Sequence, residues 1–297
     1  MSGCWLCGSA ESYEVMPSTV SGEVKSEDFK ISDSHYGRTA RIVECRSCGF
    51  RYADPIPAPD LTGMYESLAD SEYDEGSEGR IGPFRKILTR CLSLKPGIKD
   101  ALDIGASTGL LCMAARELGI NAVGVEPSGW AVDIAKGRHG VDVLQGIFPH
   151  PALEGRGFDL ITLVDVIEHV PDPVGLLKDA GKALRPGGFI VVVTPNVRSI
   201  AARLMGRRWW HYRLAHICYF DRRTMGKALG LAGLKVRLVE DYVWSFTIGY
   251  VAERLGRYLP VGGLVRLVAR TGIGRWFFDI KVPVNLKDSD IYYAERT

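Results

Sequence analysis

Apolar and polar positions in the middle of the chain follow the order strand, turn, helix, strand. Residues 101–104 form a short apolar run, which is typical of a strand buried on both faces. The small residues at 105–109 favour a tight turn, and residues 110–118 have the composition of a helix. A second apolar run at 121–125 ends on the acid Glu126. The pattern therefore predicts a βαβ unit with a glycine turn after its first strand and a carboxylate after its second.

The alternation of strands and helices continues towards the C-terminus. Further strands are expected at residues 141–144, 160–164, 189–193, 234–240 and 290–295, and helices at 128–137, 173–183 and 224–232. This order predicts an α/β fold with a doubly wound, mostly parallel, Rossmann-like sheet. An insertion of about forty residues lies between the last two strands, and we expect it to be helical.

The chemistry of the βαβ unit indicates a nucleoside-containing cofactor. Free backbone N–H groups at the turn and the helix start suit a polar or anionic group, and a carboxylate after the second strand can accept bonds from a ribose diol. A dinucleotide pattern would need glycine at three positions that hold Gly105, Ser107 and Leu110. An NAD-dependent oxidoreductase is therefore a disfavoured alternative.

The sequence of this unit resembles the class I S-adenosylmethionine-dependent methyltransferases. Their first motif corresponds to Asp103-Ile-Gly105-Ala-Ser107-Thr-Gly109, with serine in place of the middle glycine, and their second to Glu126. Three further family motifs follow in the same order, at residues 158–161, 165–170 and 184–188. The resemblance implies a methyltransferase that uses S-adenosylmethionine, and the alternative is an α/β domain without a cofactor.

The resemblance also implies which residues contact the cofactor. They are Asp103, Gly105, Ala106, Ser107, Gly109, Glu126, Pro127, Ile147, Phe148 and Asp165. Ile147 stands where the family often has an aspartate that binds the adenine amine, and its side chain cannot accept that bond. We therefore expect backbone groups and apolar packing by Ile147 and Phe148 to hold the adenine.

Two C-x-x-C-G sequences near the start of the chain predict a metal site. Paired thiolates at this spacing can bind one side of a tetrahedral zinc ion, so Cys4, Cys7, Cys45 and Cys48 would complete a structural Cys₄ site. His35 is a further possible ligand that such a site does not need. Strands are expected between the two pairs, at residues 14–30 and 41–44. The alternatives are two disulfides or a catalytic thiol pair.

The run that begins at the second cysteine pair resembles a methyltransferase subgroup with an N-terminal zinc-binding segment. Members act mainly in bacterial glycan and natural-product pathways, and a tyrosine-bearing segment lies near the cofactor as a lid. Here Tyr65 and Tyr73 would occupy that segment, and the alternative is that they only pack. We expect a zinc-binding segment at residues 1–55, a connector and lid-like helical region at 56–95, and a methyltransferase domain at 96–297. A substrate cap is expected around residues 197–220 and 243–282.

Composition and charge narrow the choice of partners. The 297 residues are 46% hydrophobic and 24% charged, as in ordinary globular proteins, and the start of the chain does not resemble a leader, so a cytoplasmic protein is expected. The net charge of +2 is uneven: residues 1–80 hold 7 basic and 15 acidic side chains, and residues 201–297 hold 17 and 8. The acidic first part would repel nucleic acid, although the basic aromatic cluster at 207–213 keeps a nucleic-acid-modifying enzyme as an alternative. The basic insertion could instead touch a membrane or a lipid-linked acceptor, or cap the substrate cleft.

Three histidines are candidates for the general base that takes a proton from a hydroxyl acceptor. His169 comes first, because it follows the fourth strand at the edge where ligands bind in open α/β sheets. His211 and His216 follow the fifth strand and should border the same cleft. A purely structural role is the alternative for each. By family resemblance, the acceptor is expected to be an oxygen of a sugar, glycan precursor or natural product.

Overall fold

The computed structural model describes residues 3–22, 24–30, 37–58, 60–69, 78–249, 278 and 280–296. Strands within these ranges are β1 (Ser12–Met16), β2 (Ile42–Cys45), β3 (Arg51–Ala53), β4 (Asp100–Ile104), β5 (Asn121–Glu126), β6 (Val143–Gln145), β7 (Phe158–Val164), β8 (Leu184–Pro195), β9 (Cys218–Tyr219), β10 (Leu234–Asp241), β11 (Trp244–Thr247), β12 (Lys281–Val284) and β13 (Ser289–Arg296).

Helices connect most of these strands. They are α1 (Leu61–Glu66), α2 (Glu78–Leu94), α3 (Leu110–Glu117), α4 (Gly129–Gly137), α5 (Pro173–Ala183), α6 (Ile200–Met205) and α7 (Arg222–Leu231). Five of them begin at side-chain caps that satisfy free backbone N–H groups; for example, the Ser128 hydroxyl accepts from the Ala131 amide, and the Asp172 carboxylate accepts from the Gly175 amide. Among the described residues, no helix has both the length and the apolar character needed to cross a bilayer.

Seven strands form the central sheet, in the order β10-β13-β8-β7-β4-β5-β6. The pairs from β8 through β6 are parallel, and β13 runs antiparallel to both β8 and β10. The predicted mostly parallel, Rossmann-like sheet is therefore confirmed. Residues 190–193 of β8 are fully buried, as a strand covered on both faces requires. The order of strands reverses at β4, because β5 lies on one side of it and β7 lies on the other. Ligands of such sheets bind at this reversal, so they are expected beyond the carboxyl ends of β4, β5 and β7.

A second, four-stranded antiparallel sheet contains the N-terminal strands, in the order β1-β2-β3-β9. Its last strand comes from residues 218–219, so the N-terminal segment shares a sheet with the chain that follows β8. The rings of Phe50 and Phe220 pack 5.0 Å apart next to this junction. Strands do lie between the cysteine pairs. Of the residues expected to have strand character at 14–30, residues 14–16 lie in β1, whereas residues 26–29 form a 3₁₀ turn.

The described ends of the expected helical insertion contain two strands as well as helical residues at 248, 249 and 278. β11 and β12 pair antiparallel there, with Trp244 opposite Val284 and Thr247 opposite Lys281. The interior of the insertion lies outside the described residues. So do Tyr73, His35 and the aromatic and basic side chains expected to form a cap at Tyr250, Arg254, Arg257, Tyr258, Arg266, Arg270, Arg275, Trp276 and Phe277.

Candidate functional site

The turn between β4 and α3 brings its backbone close to neighbouring elements. Gly105 and Gly109 have φ values of +73° and +77°, in the left-handed region that favours glycine. A Cβ atom at Gly105 would overlap Val166, and one at Gly109 would overlap Val141. Ser107 also has a positive φ, +48°, which a side chain adopts only with strain. The turn is thus a cradle that larger residues would fill.

The Glu126 carboxylate connects this turn to the next helix. Its Oε2 accepts from the Ser107 amide at 2.8 Å and its Oε1 accepts from the Ser128 amide at 2.9 Å. Burial raises the pKa of Glu126, while these two amides act in the opposite direction. Each carboxylate oxygen has a second acceptor position, so both can also bind hydroxyl groups of a ligand. The structure thus places this acid beside the glycine turn, at the end of β5.

A cleft opens over the turn. Its lining includes Asp103, Gly105, Ala106, Ser107 and Asp165 from the predicted set, together with Thr108, Leu110, Leu111 and Val164. The cleft is completed by Arg80 and Phe84 of α2 and by Tyr242 and Trp244, which follow β10. Sequence reasoning named none of these four side chains as cofactor contacts, although Arg80 and Phe84 lie in the expected lid-like region 56–95 and Trp244 lies in the expected cap at 243–282. Their approach to the turn depends on tertiary packing.

Two acids face this cleft, Asp103, which is buried, and Asp165, which is half-buried. Asp103 is 4% exposed, accepts from the Thr162 hydroxyl at 2.6 Å, and has its pKa raised to about 7 by burial. Burial also raises the pKa of Asp165 to about 6, while the positive charges of His211 and Arg80 act to lower it. Asp165 therefore lies between the cleft and the histidine that follows β8.

Besides Gly109 in the turn and Glu126 beside it, three further expected cofactor contacts do not line the cleft. Pro127 is half-buried directly after β5, and Ile147 is 53% exposed just beyond β6. Phe148 is half-buried and packs against the main core. Because Gln145 at the end of β6 pairs with Glu126, the structure does place these residues at the same edge of the sheet. Their contact with adenine stays a prediction.

The three candidate histidines form a row next to Asp165. The ring centroids of His169 and His216 are 4.8 Å apart, and those of His216 and His211 are 5.7 Å apart. Nε2 of His211 lies 3.4 Å from a carboxylate oxygen of Asp288, a fully buried residue that sequence reasoning missed. The structure thus brings the predicted histidines together, although none of them lines the cleft over the glycine turn.

The first candidate, His169, is held by its neighbours. Its Nδ1 lies 2.8 Å from the Ala215 carbonyl oxygen and 2.8 Å from the Tyr65 hydroxyl. Burial lowers the pKa of His169 to about 4, and burial also places the pKa of His216 well below its ordinary value. Both imidazoles are therefore neutral at pH 7. Tyr65, expected as a lid residue, contacts this row, which supports a position at the site.

The four predicted zinc ligands form a compact cluster. One sulfur from each cysteine lies within 4.8 Å of the other three, with Cys4 to Cys48 and Cys7 to Cys45 both at 3.6 Å. All four are free thiols, so the disulfide alternative is not what the structure contains. Burial acts to raise the pKa of Cys45, but hydrogen bonds with the Cys48 backbone and the Cys7 side chain lower it to about 7.

The two cysteine turns have the same backbone geometry. The Gly8 amide donates to the Cys4 carbonyl and the Gly49 amide donates to the Cys45 carbonyl, both at 2.8 Å. Both glycines have a positive φ, +75° and +70°. Two matching turns that direct four thiols to one point are the arrangement of a tetrahedral zinc site.

An ion-pair network joins the N-terminal sheet to the segment after β8. The Glu44 carboxylate accepts from Arg51 at 2.6 Å, from Arg198 at 2.8 Å and from the Tyr13 hydroxyl at 2.9 Å. Arg51 also donates to the Tyr212 hydroxyl at 3.2 Å. The contacts between these distant parts of the chain are therefore polar and specific as well as apolar.

Backbone bonds carry this connection to the histidine row. The Ala53 amide of β3 donates to the Ile217 carbonyl, and the Ile217 amide donates to the Glu168 carbonyl, both at 2.8 Å. The strand next to the cysteine cluster thus sets the position of residues 216–217 against Glu168.

Comparisons with known proteins agree with this geometry. A family model described as a methyltransferase domain matches residues 77–239, which is more than half of the chain. A ubiquinone biosynthesis O-methyltransferase of Idiomarina loihiensis is 34% identical over 161 residues, which cover 50% of this chain and 65% of the relative. One from Azorhizobium caulinodans is 33% identical over 144 residues, which cover 44% and 56%. The chain thus matches less than two thirds of the length of these relatives.

The fold also has a solved counterpart. The crystal structure of an S-adenosylmethionine-dependent methyltransferase from Clostridium acetobutylicum matches with a TM-score of 0.51 at 13% identity, covering 75% of this chain and 96% of that one. At this identity the likeness concerns the fold alone.

Proposed function

The chain belongs to the methyltransferase-domain family, and from that membership we propose that it is an S-adenosylmethionine-dependent methyltransferase. The observation that carries the proposal is the Glu126 carboxylate, held by the Ser107 and Ser128 amides beside a turn where side chains would fill the cradle. A ribose diol and a polar cofactor portion fit this arrangement, because each carboxylate oxygen keeps an acceptor position directed away from the backbone.

Residues in and beside the cleft divide the work of binding. Glu126, beside the turn, would accept the ribose hydroxyls, and the Arg80 guanidinium in the cleft lining would attract a carboxylate of the cofactor. Tyr242 and Trp244 would exclude water from the reacting atoms. When bound, S-adenosylmethionine supplies an already activated methyl group, so the protein contributes mainly by positioning the two partners.

Oxygen is the acceptor atom that we propose. The two relatives named above are O-methyltransferases by name, and the histidine row next to Asp165 offers groups that can position a hydroxyl. His169, His211 and His216 stay the candidates for contact with that hydroxyl. As acceptor we propose a small molecule or glycan-type compound, including lipid-linked ones, as the resemblance to enzymes of glycan and natural-product pathways implies.

Calorimetry with S-adenosylhomocysteine tests the cofactor site. Glu126→Gln keeps the size of the side chain but removes its charge, so affinity should fall by about 1.5–3 kcal/mol, the usual size for hydrogen bonds to a charged group. Glu117→Gln, on the exposed end of α3, is the matched control and should bind normally. Unchanged affinity in Glu126→Gln would contradict the role given to this carboxylate. Binding of NAD in place of S-adenosylhomocysteine would overturn the proposed function.

The cysteine cluster is proposed as a structural zinc site. The four thiols fit a tetrahedral ion, and the cluster lies on the N-terminal sheet, away from the residues that line the cleft. Cys4, Cys7, Cys45 and Cys48 would hold the ion as thiolates. Zinc would then contribute to the stability of the fold and have no part in methyl transfer.

A further inference from the structure

A second group of metal-ligating side chains lies at the histidine row, separate from the cysteine cluster. Glu168, His169 and His216 each offer one ligand atom, and these three atoms lie within 4.8 Å of one another. Glu168 is 1% exposed and His216 is 8% exposed. The group is therefore enclosed by protein and is not a surface patch of acidic and basic residues.

Neighbouring groups hold each of the three side chains by one atom. Oε2 of Glu168 accepts from the Thr194 hydroxyl at 3.0 Å. Nδ1 of His169 lies 2.8 Å from the Ala215 carbonyl oxygen, which can only accept, so the proton is on Nδ1 and Nε2 carries a lone pair. The imidazole of His216 has a hydrogen bond with the His211 backbone. Protein groups that orient a ligand through its other polar atom are typical of metal sites.

The remaining atoms lack partners. Oε1 of Glu168 and Nδ1 of His216 are fully buried and have no hydrogen-bond partner. Buried polar atoms are almost always satisfied in folded proteins, so two unsatisfied atoms within one group of three ligand-type side chains require an explanation. A cation at that point would accept a lone pair from each of them and from Nε2 of His169.

We propose that Glu168, His169 and His216 bind a divalent first-row transition-metal ion. Two imidazoles and one carboxylate are a donor set that suits manganese, iron, cobalt or zinc and is poor for magnesium or calcium. Three protein ligands leave coordination positions open for oxygen atoms of another molecule.

The location of the ion gives it a function, and this step rests on the proposed methyltransferase activity. Asp165 lines the cofactor cleft, and its charge acts on the Glu168 carboxyl. The metal ion would therefore lie across Asp165 from the cofactor, where the acceptor must bind. Its open positions would bind the acceptor hydroxyl, and a neighbouring oxygen where the acceptor has one, and so orient the oxygen that receives the methyl group.

Electron paramagnetic resonance with Mn²⁺ tests the site directly. The full chain is first given one equivalent of zinc, which the four thiols take in preference to the harder donor set. Wild type should then bind one Mn²⁺ per chain. Glu168→Gln keeps the shape of the side chain and should weaken Mn²⁺ binding at least tenfold, as should His216→Ala. Glu154→Gln, at an exposed position, is the matched control and should bind Mn²⁺ as wild type does.

Two results would overturn the proposal. One is an absence of bound Mn²⁺ in wild type, together with no more than one zinc per chain after dialysis against excess zinc. The other is unchanged Mn²⁺ affinity in Glu168→Gln. The wild-type stoichiometry decides the question even where a variant fails to fold. Calorimetry with S-adenosylhomocysteine separates the two proposals: cofactor binding without Mn²⁺ binding refutes only the metal site, and Mn²⁺ binding without cofactor binding refutes only the proposed activity.

Discussion

The four cysteines come from two short turns, whereas Glu168, His169 and His216 meet only because distant segments pack together. Each cysteine turn is closed by its own backbone bond, at Gly8 and at Gly49. The Glu168 carbonyl instead receives the Ile217 amide, and Ile217 is in turn bonded to Ala53 of β3. One site is thus built mainly by local geometry, and the other needs three separate parts of the chain.

Because of this difference, the two sites should respond differently to substitutions. The cysteine site should keep its metal when contacts between distant segments are weakened, because its turns are closed locally. The Glu168 site should respond to substitutions that do not touch the metal ligands. Three variants test this comparison, and they are given from the largest expected effect to the smallest.

Removing one zinc ligand should have the largest effect. We expect Cys45→Ser to lose one zinc per chain and at least ~4 kcal/mol of unfolding free energy, a fraction of the ~10–16 kcal/mol with which zinc binds small finger domains. Zinc content by metal analysis and denaturant unfolding are the measurements. Cys91→Ala removes a buried thiol outside the cluster and should keep its zinc. Full stability of Cys45→Ser without zinc would show that the metal is not structural.

Neutralising Glu44 should have the next largest effect. Glu44→Gln leaves Arg51 and Arg198 without their shared carboxylate, which should cost about 3 kcal/mol of unfolding free energy, as is usual when a buried ion pair is broken. Glu117→Gln removes an exposed pair with Arg85 and should cost less than about 1 kcal/mol. Zinc content should stay unchanged in both variants. Zinc loss in Glu44→Gln would contradict the local character of the cysteine site.

The Glu44 network also predicts a pH dependence. Burial acts to raise the pKa of Glu44, but bonds from Arg51 and Tyr13 and the arginine charges hold it below its ordinary value of 4.5. A lowered pKa in the folded state means that the carboxylate contributes stability above pH 4.5 and loses it as the pH falls through the folded-state pKa. The stability difference between wild type and Glu44→Gln should therefore be constant above pH 5 and shrink in more acidic solution. A difference that grows on acidification would contradict the assignment.

The smallest expected effect comes from a residue that only orients a metal ligand. Thr194→Val removes the hydroxyl that donates to Glu168 Oε2, and Mn²⁺ affinity should fall about tenfold, the usual lower limit for such orienting partners. Thr162→Val removes an equivalent bond to Asp103 on the neighbouring strand and serves as the control for Mn²⁺ binding. Equal Mn²⁺ affinity in Thr194→Val and wild type would show that the hydroxyl does not position the carboxylate.

The sequence was informative where the residues of a site lie close together along the chain. The cysteine turns and the glycine turn each lie within five residues, and Glu126 follows at the end of the next strand, so spacing alone predicted their partners. The histidine row was predicted as a set of candidates, because strand ends in a parallel sheet meet at one edge. The contacts between these histidines and their neighbours were not predictable, since the hydrogen bond from His169 Nδ1 to the Ala215 carbonyl depends on the path of the chain after β8.

Other features lay beyond pattern reasoning for the same reason. Asp288 lies in a short polar stretch that would be expected to be exposed to solvent, yet it is fully buried against His211. Arg80 belongs to a helix whose orientation the sequence does not give, and it lines the cleft. The insertion was expected to be helical from its aromatic and basic composition. At its two ends, however, the chain forms the paired strands β11 and β12.

The pairing of β3 with β9 has a consequence for how the protein is made. β3 ends at Ala53, and its edge partner begins at Cys218, so about 165 residues are synthesised before that edge is covered. At ordinary translation rates this interval lasts roughly 8–30 s, during which an uncovered strand can pair with the wrong partner. The cysteine cluster is complete at residue 48. A metal bound there would hold the nascent N-terminal segment in its final shape until the ribosome has synthesised β9.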